Sequence, residues 1–329
     1  MTLASGLTRW LHEQHEGQAR VTSLVRPDAG RAGNTFVVDL SDGTRVVLRL
    51  PPTGATHLGD PLERQARVQN ALAAAGVRAP APAWYEPDPA WIGSPFVVMP
   101  CVDGHVAGEV PVLDEWITAS APADQARLYD GFVDALAAVH RLAPTQWHDL
   151  EDGLRGADDQ PIDHADHWRG YLDWATDGAP PGRLVAALDR CAATAPAAAP
   201  PCSLLWGDPR LGNAIFDERR ELVALIDWET AQFGPAELDV GYWLGLEAVL
   251  DEAMGQRVEG FPTRAEAVER VEAQLGRPLV DLGWWEVLGL LSAACMSVRL
   301  SVLARGRPPS DDELGAHPVV TRVERLLDA

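Results

Sequence analysis

The stretch Leu204-Leu-Trp-Gly-Asp-Pro-Arg-Leu-Gly-Asn213, followed by Leu225-Ile-Asp-Trp-Glu229, constrains this chain more than any other feature. It sets a carboxylate, Asp208, and an amide, Asn213, five residues apart across a tight turn. A second carboxylate, Asp227, ends the apolar run Leu222–Ile226. Phosphoryl transfer needs such a set: a carboxylate beside the attacking hydroxyl to orient it and accept its proton, and oxygen ligands that hold Mg²⁺ against the phosphates. Asp208 suits the first task as catalytic base, and Asn213 and Asp227 suit the second. A Gly-Asp pair can simply cap a turn. The ordered set Asp208, Asn213, apolar strand, Asp227 and Glu229 is far harder to obtain by chance.

At 329 residues the chain is long enough for two lobes, each with a core. Its first hundred residues alternate between strand and turn. Arg20–Leu24, Asn34–Leu40 and Thr44–Leu50 are β-prone, with Ser41-Asp42-Gly43 as a hairpin turn. A helix is predicted from Asp60-Pro61 to Gly76, an irregular Pro-rich segment over Ala79–Pro89, and a strand at Phe96–Met99. Beyond Gly104 the periodicity becomes helical, in Asp124–Leu142, Arg183–Ala193, Pro235–Leu250, Arg264–Leu275 and Leu282–Ala304. Short strands are expected at Ser203–Trp206, Asn213–Phe216 and Leu222–Ile226. The division is an N-terminal lobe over 1–99, a hinge over 100–104 and a C-terminal lobe over 105–329, with the ligand cleft between them.

The net charge of −21 argues against nucleic acid, whose phosphates need a positive surface. Residues 1–104 carry 10 acidic and 9 arginine side chains, and the remainder 38 and 18, so the acidity lies in the C-terminal lobe. On charge alone, neutral or cationic acceptors are favoured there. All 27 basic residues are Arg, so any step that uses a lysine elsewhere must be adapted here. The scattered cysteines Cys101, Cys191, Cys202 and Cys295 and the absence of a signal-like segment in Met1–Trp10 point to a cytoplasmic location. Leu282–Ala304 is apolar enough to suggest a membrane span, but Glu286, Arg299 and three serines make it a buried helix, and no membrane partner is expected. Asp163-His-Ala-Asp-His167 lacks a third ligand at zinc spacing and reads as a solvated helix start.

The Asp208-to-Asn213 interval is that of a kinase catalytic loop. With Asp227-Trp-Glu229 and Gly234–Asp239, it resembles the aminoglycoside phosphotransferase and choline kinase-like family, closest to the branch associated with acyl-CoA dehydrogenases. By motif order the resemblance covers about Thr22 to Ala304. It implies an α+β, protein-kinase-like two-lobe fold: a small N-terminal lobe of antiparallel sheet plus helix, and a larger, mainly helical C-terminal lobe. It further implies ATP (or GTP) and Mg²⁺ as cofactors and a small-molecule hydroxyl acceptor. Trp206 departs from the His found in many members before Gly-Asp, a position that supports the loop.

The resemblance also sets expectations for the nucleotide. Gly30 and Gly33, in Gly30-Arg-Ala-Gly-Asn-Thr35, occupy the place of a phosphate loop. Arg49 stands where kinases carry the lysine that binds the α- and β-phosphates. Met99, Cys101 and Val102 form the hinge that meets the base. The helix from Pro61 is expected to supply Arg49 with a partner, either Glu63 or Gln65. Glu229 stands beside the metal ligands, Asp239 anchors the loop, and Asp163, Asp166 and His167 lie in the region that faces the acceptor in relatives. The rival reading is a nucleotide-binding pseudokinase or regulatory module without efficient transfer, fed by Gln65 and the missing lysine. A protein kinase is disfavoured, because no His-Arg-Asp, Asp-Phe-Gly or Ala-Pro-Glu appears.

Overall fold

The computed structural model describes residues 2–14, 18–27, 34–52, 54–56, 61–143, 150, 154, 156 and 159–329. In chain order the small lobe holds α1 (Leu3–Gln14), β1 (Val21–Val25), β2 (Asn34–Leu40), β3 (Arg45–Leu50), α2 (Pro61–Ala74), β4 (Trp84–Glu86) and β5 (Phe96–Pro100). The large lobe holds β6 (His105–Val106), α3 (Glu115–Thr118), α4 (Pro122–His140), α5 (Pro161–Ala175), α6 (Gly182–Ala193), β7 (Cys202–Leu205), β8 (Ala214–Phe216), β9 (Leu222–Leu225) and β10 (Gln232–Pro235). It closes with α7 (Ala236–Met254), α8 (Arg264–Leu275), α9 (Leu282–Arg305), α10 (Asp311–Gly315) and α11 (Pro318–Asp328). This is the protein-kinase-like two-lobe α+β fold that the motifs imply.

The small-lobe sheet is antiparallel in the order β1-β2-β3-β5-β4. The β2–β3 hairpin closes where expected: Asp42 Oδ1 accepts from Thr44 N at 2.9 Å, and Gly43 adopts a φ of +87°. Strand alternation divides the core in two. Val38, Leu48, Phe96 and Val98 pack with Leu7 and Trp10 of α1, while Val47, Val97 and Met99 pack with Leu62 and Ala66 of α2. Two residues from Val47 along β3, Arg49 therefore shares the α2 face.

Two elements depart from the sequence expectations here. Leu3–Gln14 forms a helix that the N-terminal composition did not announce, seated by Trp10, whose Nε1 donates to Glu86 at 2.9 Å and whose ring meets Phe96 edge-on at 5.1 Å. The Pro-rich segment Ala79–Pro89 contains β4, held by pairing Tyr85 with Val97. In the large lobe, the solvated helix start at Asp163 is the first turn of a full α5, whose buried stripe is His164, Ala165, Trp168, Tyr171, Leu172 and Ala175.

Helix α9 is the apolar run that resembled a membrane span. It packs against α5, α6, α7 and α11, and its buried Glu286 pairs with Arg264 and Arg322, each at 2.7 Å. It crosses α7 at backbone contact. A Cβ on Gly241 of α7 would lie 2.6 Å from Glu286 N, and one on Gly289 of α9 would lie 2.7 Å from the Tyr242 Cα. Only glycine fits either place.

Candidate active site

The loop after β7 turns at Gly207, whose φ is +86° and where a Cβ would strike the Thr230 carbonyl oxygen at 2.2 Å. Asp239, at the start of α7, accepts from the backbone N–H groups of Trp206 at 2.8 Å and Gly207 at 3.0 Å. Its Oδ2 also meets His140 Nε2 of α4 at 2.9 Å. Trp206, His140 and Asp239 are buried and Gly207 is partly so, and the loop is fixed from beneath. Asp239 is thus a loop anchor, as expected.

Asp208 follows, with three protein donors on its carboxylate. Asn213 Nδ2 and Arg210 Nε each donate to Oδ2 at 2.9 Å, and the Tyr242 hydroxyl donates to Oδ1 at 2.7 Å. The side chain keeps 16% exposure, enough to meet a ligand. Because Asn213 spends its amide nitrogen on Asp208, its amide oxygen is left uncommitted. Arg210 in turn pairs with Glu109 on the segment after β6. Burial pulls the Arg210 guanidinium down, and the charges of Asp208 and Glu109 more than offset it. The Tyr242 hydroxyl is pushed well above its ordinary value by burial and by Asp208.

Asp227 comes to this loop through the backbone: Ile226 N donates to Asn213 O at 2.9 Å. Asp227 itself adopts a left-handed φ of +64°. Next to it, the buried Trp228 stacks on Trp206, ring centroids 5.3 Å apart, and Trp206 Nε1 donates to Ile226 O at 3.0 Å. Trp206 therefore supports the loop. Glu229 then points to the small lobe. Arg49 Nη2 lies 2.8 Å from Asp227 and 2.5 Å from Glu229. Burial pushes Glu229 up to about 7, with the Asp227 charge adding to the shift and Arg49 opposing it. For Arg49 burial works downward, and the two carboxylates hold it above its ordinary value.

The expectation that α2 supplies the partner of Arg49 is corrected here. Among the described residues Arg49 pairs with Asp227 and Glu229, not with Glu63 or Gln65. Gln65 is buried, and its Oε1 has no hydrogen-bond partner. Its neighbour Arg64 donates from Nη1 to the Glu229 carbonyl at 3.0 Å.

The remaining candidates are dispersed. Gly30 and Gly33 lie outside the described residues. In the hinge, Met99 pairs within the sheet against Val47 and Cys101 N donates to Arg45 O at 3.2 Å. Among the described residues, the Val102 N–H and the Cys101 carbonyl carry no backbone bond. Asp163 and Asp166 are exposed on α5, where Asp163 accepts from Gln160 N at 2.8 Å; His167 is half-buried, and none of the three bonds to Asp208. No group of three or more His, Cys, Asp or Glu side chains placed to hold a metal ion occurs among the described residues. Sequence reading missed Arg210, Glu109 and Tyr242. The signal for Tyr242 was its place one turn after Asp239, which puts both on the helix face toward the loop.

The sequence profile of the phosphotransferase enzyme family matches residues 24–282. The chain belongs to this family. Among curated proteins, this phosphotransferase-family chain is 28% identical over 224 residues to acyl-CoA dehydrogenase family member 10 of Mus musculus, covering 67% of the chain and 20% of that protein. It is 24% identical over 260 residues to family member 11 of Homo sapiens, covering 77% of the chain and 32% of that protein. The chain thus spans about a fifth to a third of these relatives. Among solved structures, a candidate aminoglycoside phosphotransferase of Ralstonia eutropha superposes with a TM-score of 0.74 at 21% identity, covering 98% of this chain and 97% of that one. A choline/ethanolamine kinase family protein of Mesorhizobium loti gives 0.59 at 17% identity, covering 100% and 96%. These structural likenesses establish the fold.

Proposed function

We propose that the chain is a cytoplasmic, Mg²⁺-dependent phosphotransferase that moves the γ-phosphate of ATP (or GTP) to a hydroxyl of a small molecule. The observation that carries this reading is the gathering of Asp208, Asn213, Asp227 and Arg49 from sequence-distant elements into one bonded cluster. The donor set suits the metal. Asp227 offers a carboxylate and Asn213 an amide oxygen, both hard ligands, and neither is a soft sulfur or imidazole. When bound there, Mg²⁺ neutralises charge on the β- and γ-phosphates.

Each other part falls to a side chain. Asp208, held by its three donors, faces the acceptor hydroxyl and takes its proton. The acceptor oxygen forms the new bond to phosphorus. The bond from that phosphorus to the β–γ bridging oxygen breaks, and its electron pair leaves with the nucleoside diphosphate. Arg49 offers a charged fork of donors to the phosphates in place of lysine. The Val102 N–H and Cys101 carbonyl offer one donor and one acceptor to the edge of the base. The rate gain comes from position and electrostatics, with no covalent intermediate.

The test is a transfer assay read by mass spectrometry, with Mg·ATP or Mg·GTP and a panel of amino sugars, amino alcohols, nucleosides, neutral polyols and hydroxyacyl-CoAs. Phosphorylated product with the wild type and none with Asp208→Asn is the expected result. Nucleotide binding with no turnover of any acceptor and no slow hydrolysis would favour the pseudokinase reading.

A further inference from the structure

The ends of Asp227-Trp-Glu229 reach in different directions, and the last of them is not used by the chemistry above. Asp227 faces the metal position, Trp228 is sunk against Trp206, and Glu229 crosses to the small lobe. There it meets two cations from two elements. Its carboxylate takes Arg49 of β3 at 2.5 Å, and its carbonyl takes Arg64 of α2 at 3.0 Å. Arg49 and Glu229 are 180 residues apart and both buried.

Arg49 touches two carboxylates, yet only one of them is free to remain its partner. On the reading proposed above, Asp227 gives its charge to the metal when nucleotide binds. A buried guanidinium needs a partner at every stage, and among the described residues Arg49 pairs with neither Glu63 nor Gln65 of α2. We propose that Glu229 is the positioning residue that holds the Arg49 guanidinium against the phosphate site from across the lobe boundary, and so ties β3 and α2 to the metal-binding segment. The inference rests on the proposed function only for the identity of what Arg49 then touches; the clasp itself concerns this chain alone.

Two measurements test it. The first is a double-mutant cycle on urea unfolding without nucleotide, with Arg49→Met, Glu229→Gln and both together. Each single change strands a buried polar or charged partner, so the double variant should be clearly less destabilised than the sum of the singles. Additive losses would overturn the clasp. The second is calorimetry with Mg·ADP, which binds without transfer. Glu229→Gln should weaken binding about tenfold, while Glu229→Asp, which keeps the charge but shortens its reach, should weaken it less. Wild-type affinity in Glu229→Gln would overturn the positioning role. A wild type that binds no Mg·ADP would instead sink the proposed function, and the unfolding cycle would still decide the clasp. Should Glu229→Gln fold poorly, Glu229→Asp gives both readings.

Discussion

The Tyr242 hydroxyl donates a 2.7 Å hydrogen bond to Oδ1 of Asp208, joining a buried α7 side chain to the carboxylate at the centre of the site. With Arg210 and Asn213 on Oδ2, it leaves that carboxylate one orientation. Asp208→Asn should therefore lower transfer by about two to four orders of magnitude, the usual worth of a general base. The fold should survive. The introduced amide can turn its oxygen to Arg210 and Asn213 and its nitrogen to Tyr242, whose hydroxyl accepts as well as donates. Tyr242→Phe should cost about tenfold in kcat with the nucleotide KM unchanged, because a hydrogen bond to a charged group is lost without loss of a ligand contact. Turnover assays with a measured melting temperature for each variant check both.

Asp227→Ala should abolish Mg²⁺-dependent nucleotide binding, and Asn213→Ala should weaken it less. A carboxylate brings a full charge to the metal and an amide only a dipole. Asn213→Ala also removes a donor from Asp208, so its loss in kcat should exceed its loss in affinity. Calorimetry with and without Mg²⁺, beside turnover, separates the two effects.

Much of this arrangement was legible before any coordinates. The Asp208, Asn213 and Asp227 spacing carries its own chemistry, and the β2–β3 hairpin, α8 and α9 follow from local pattern. What the sequence hid was long-range. Arg49 was expected to find its partner on α2 because the family resemblance places one there; it reaches Glu229 instead, a contact that no local periodicity encodes. Tyr242 and Glu109 are ordinary residues until the fold brings them to Asp208 and Arg210. Helix α1 was legible and went unread: Leu3, Leu7, Trp10 and Leu11 stand at i, i+4, i+7 and i+8, the spacing of one helix face. Strand β4 was missed because the prolines that bracket it, Pro80 and Pro82 before and Pro87 and Pro89 after, suggested an irregular segment, although Trp84–Glu86 needs only three residues to pair with β5.

Asp239→Ala should be among the most damaging single changes around the Asp208 loop. It strips the acceptor from the buried Trp206 N–H and His140 and from the partly buried Gly207 N–H. Losses of about 3 kcal/mol or more are expected for breaking such a buried charged network. Urea unfolding gives the number, and a loss below about 1 kcal/mol would show that water or a rotated loop replaces these bonds.

Stability should fall as pH rises from mildly acid to mildly alkaline, and Glu247 on α7 should account for part of it. Burial pushes this carboxyl up to about 7, against the opposing pull of Arg257 and of the Tyr129 hydroxyl, which donates to it at 3.0 Å. Unfolded, the same group titrates near 4.3. The folded state therefore holds the proton more tightly. Its contribution is fully present below pH 4 or so and is lost as pH rises through about 7, at no more than about 1.4 kcal/mol per unit. Glu247→Gln keeps an acceptor for Tyr129 and removes the titration. Between pH 5 and 8 its urea midpoint should decline less than that of the wild type; parallel curves would remove Glu247 from the account.

The glycine crossing of α7 and α9 bears on how such an enzyme can be re-engineered. Asp239 and Tyr242 flank Gly241, so the two side chains that hold the Asp208 loop take their height from a backbone seated on Gly289. A single methyl group at Gly289 would have to lift α7, and the carboxylate of Asp208 would be retuned by a residue on a helix it never touches. Libraries meant to change the acceptor should therefore leave Gly241 and Gly289 fixed and spend their diversity on α5 and on the segment around Glu109.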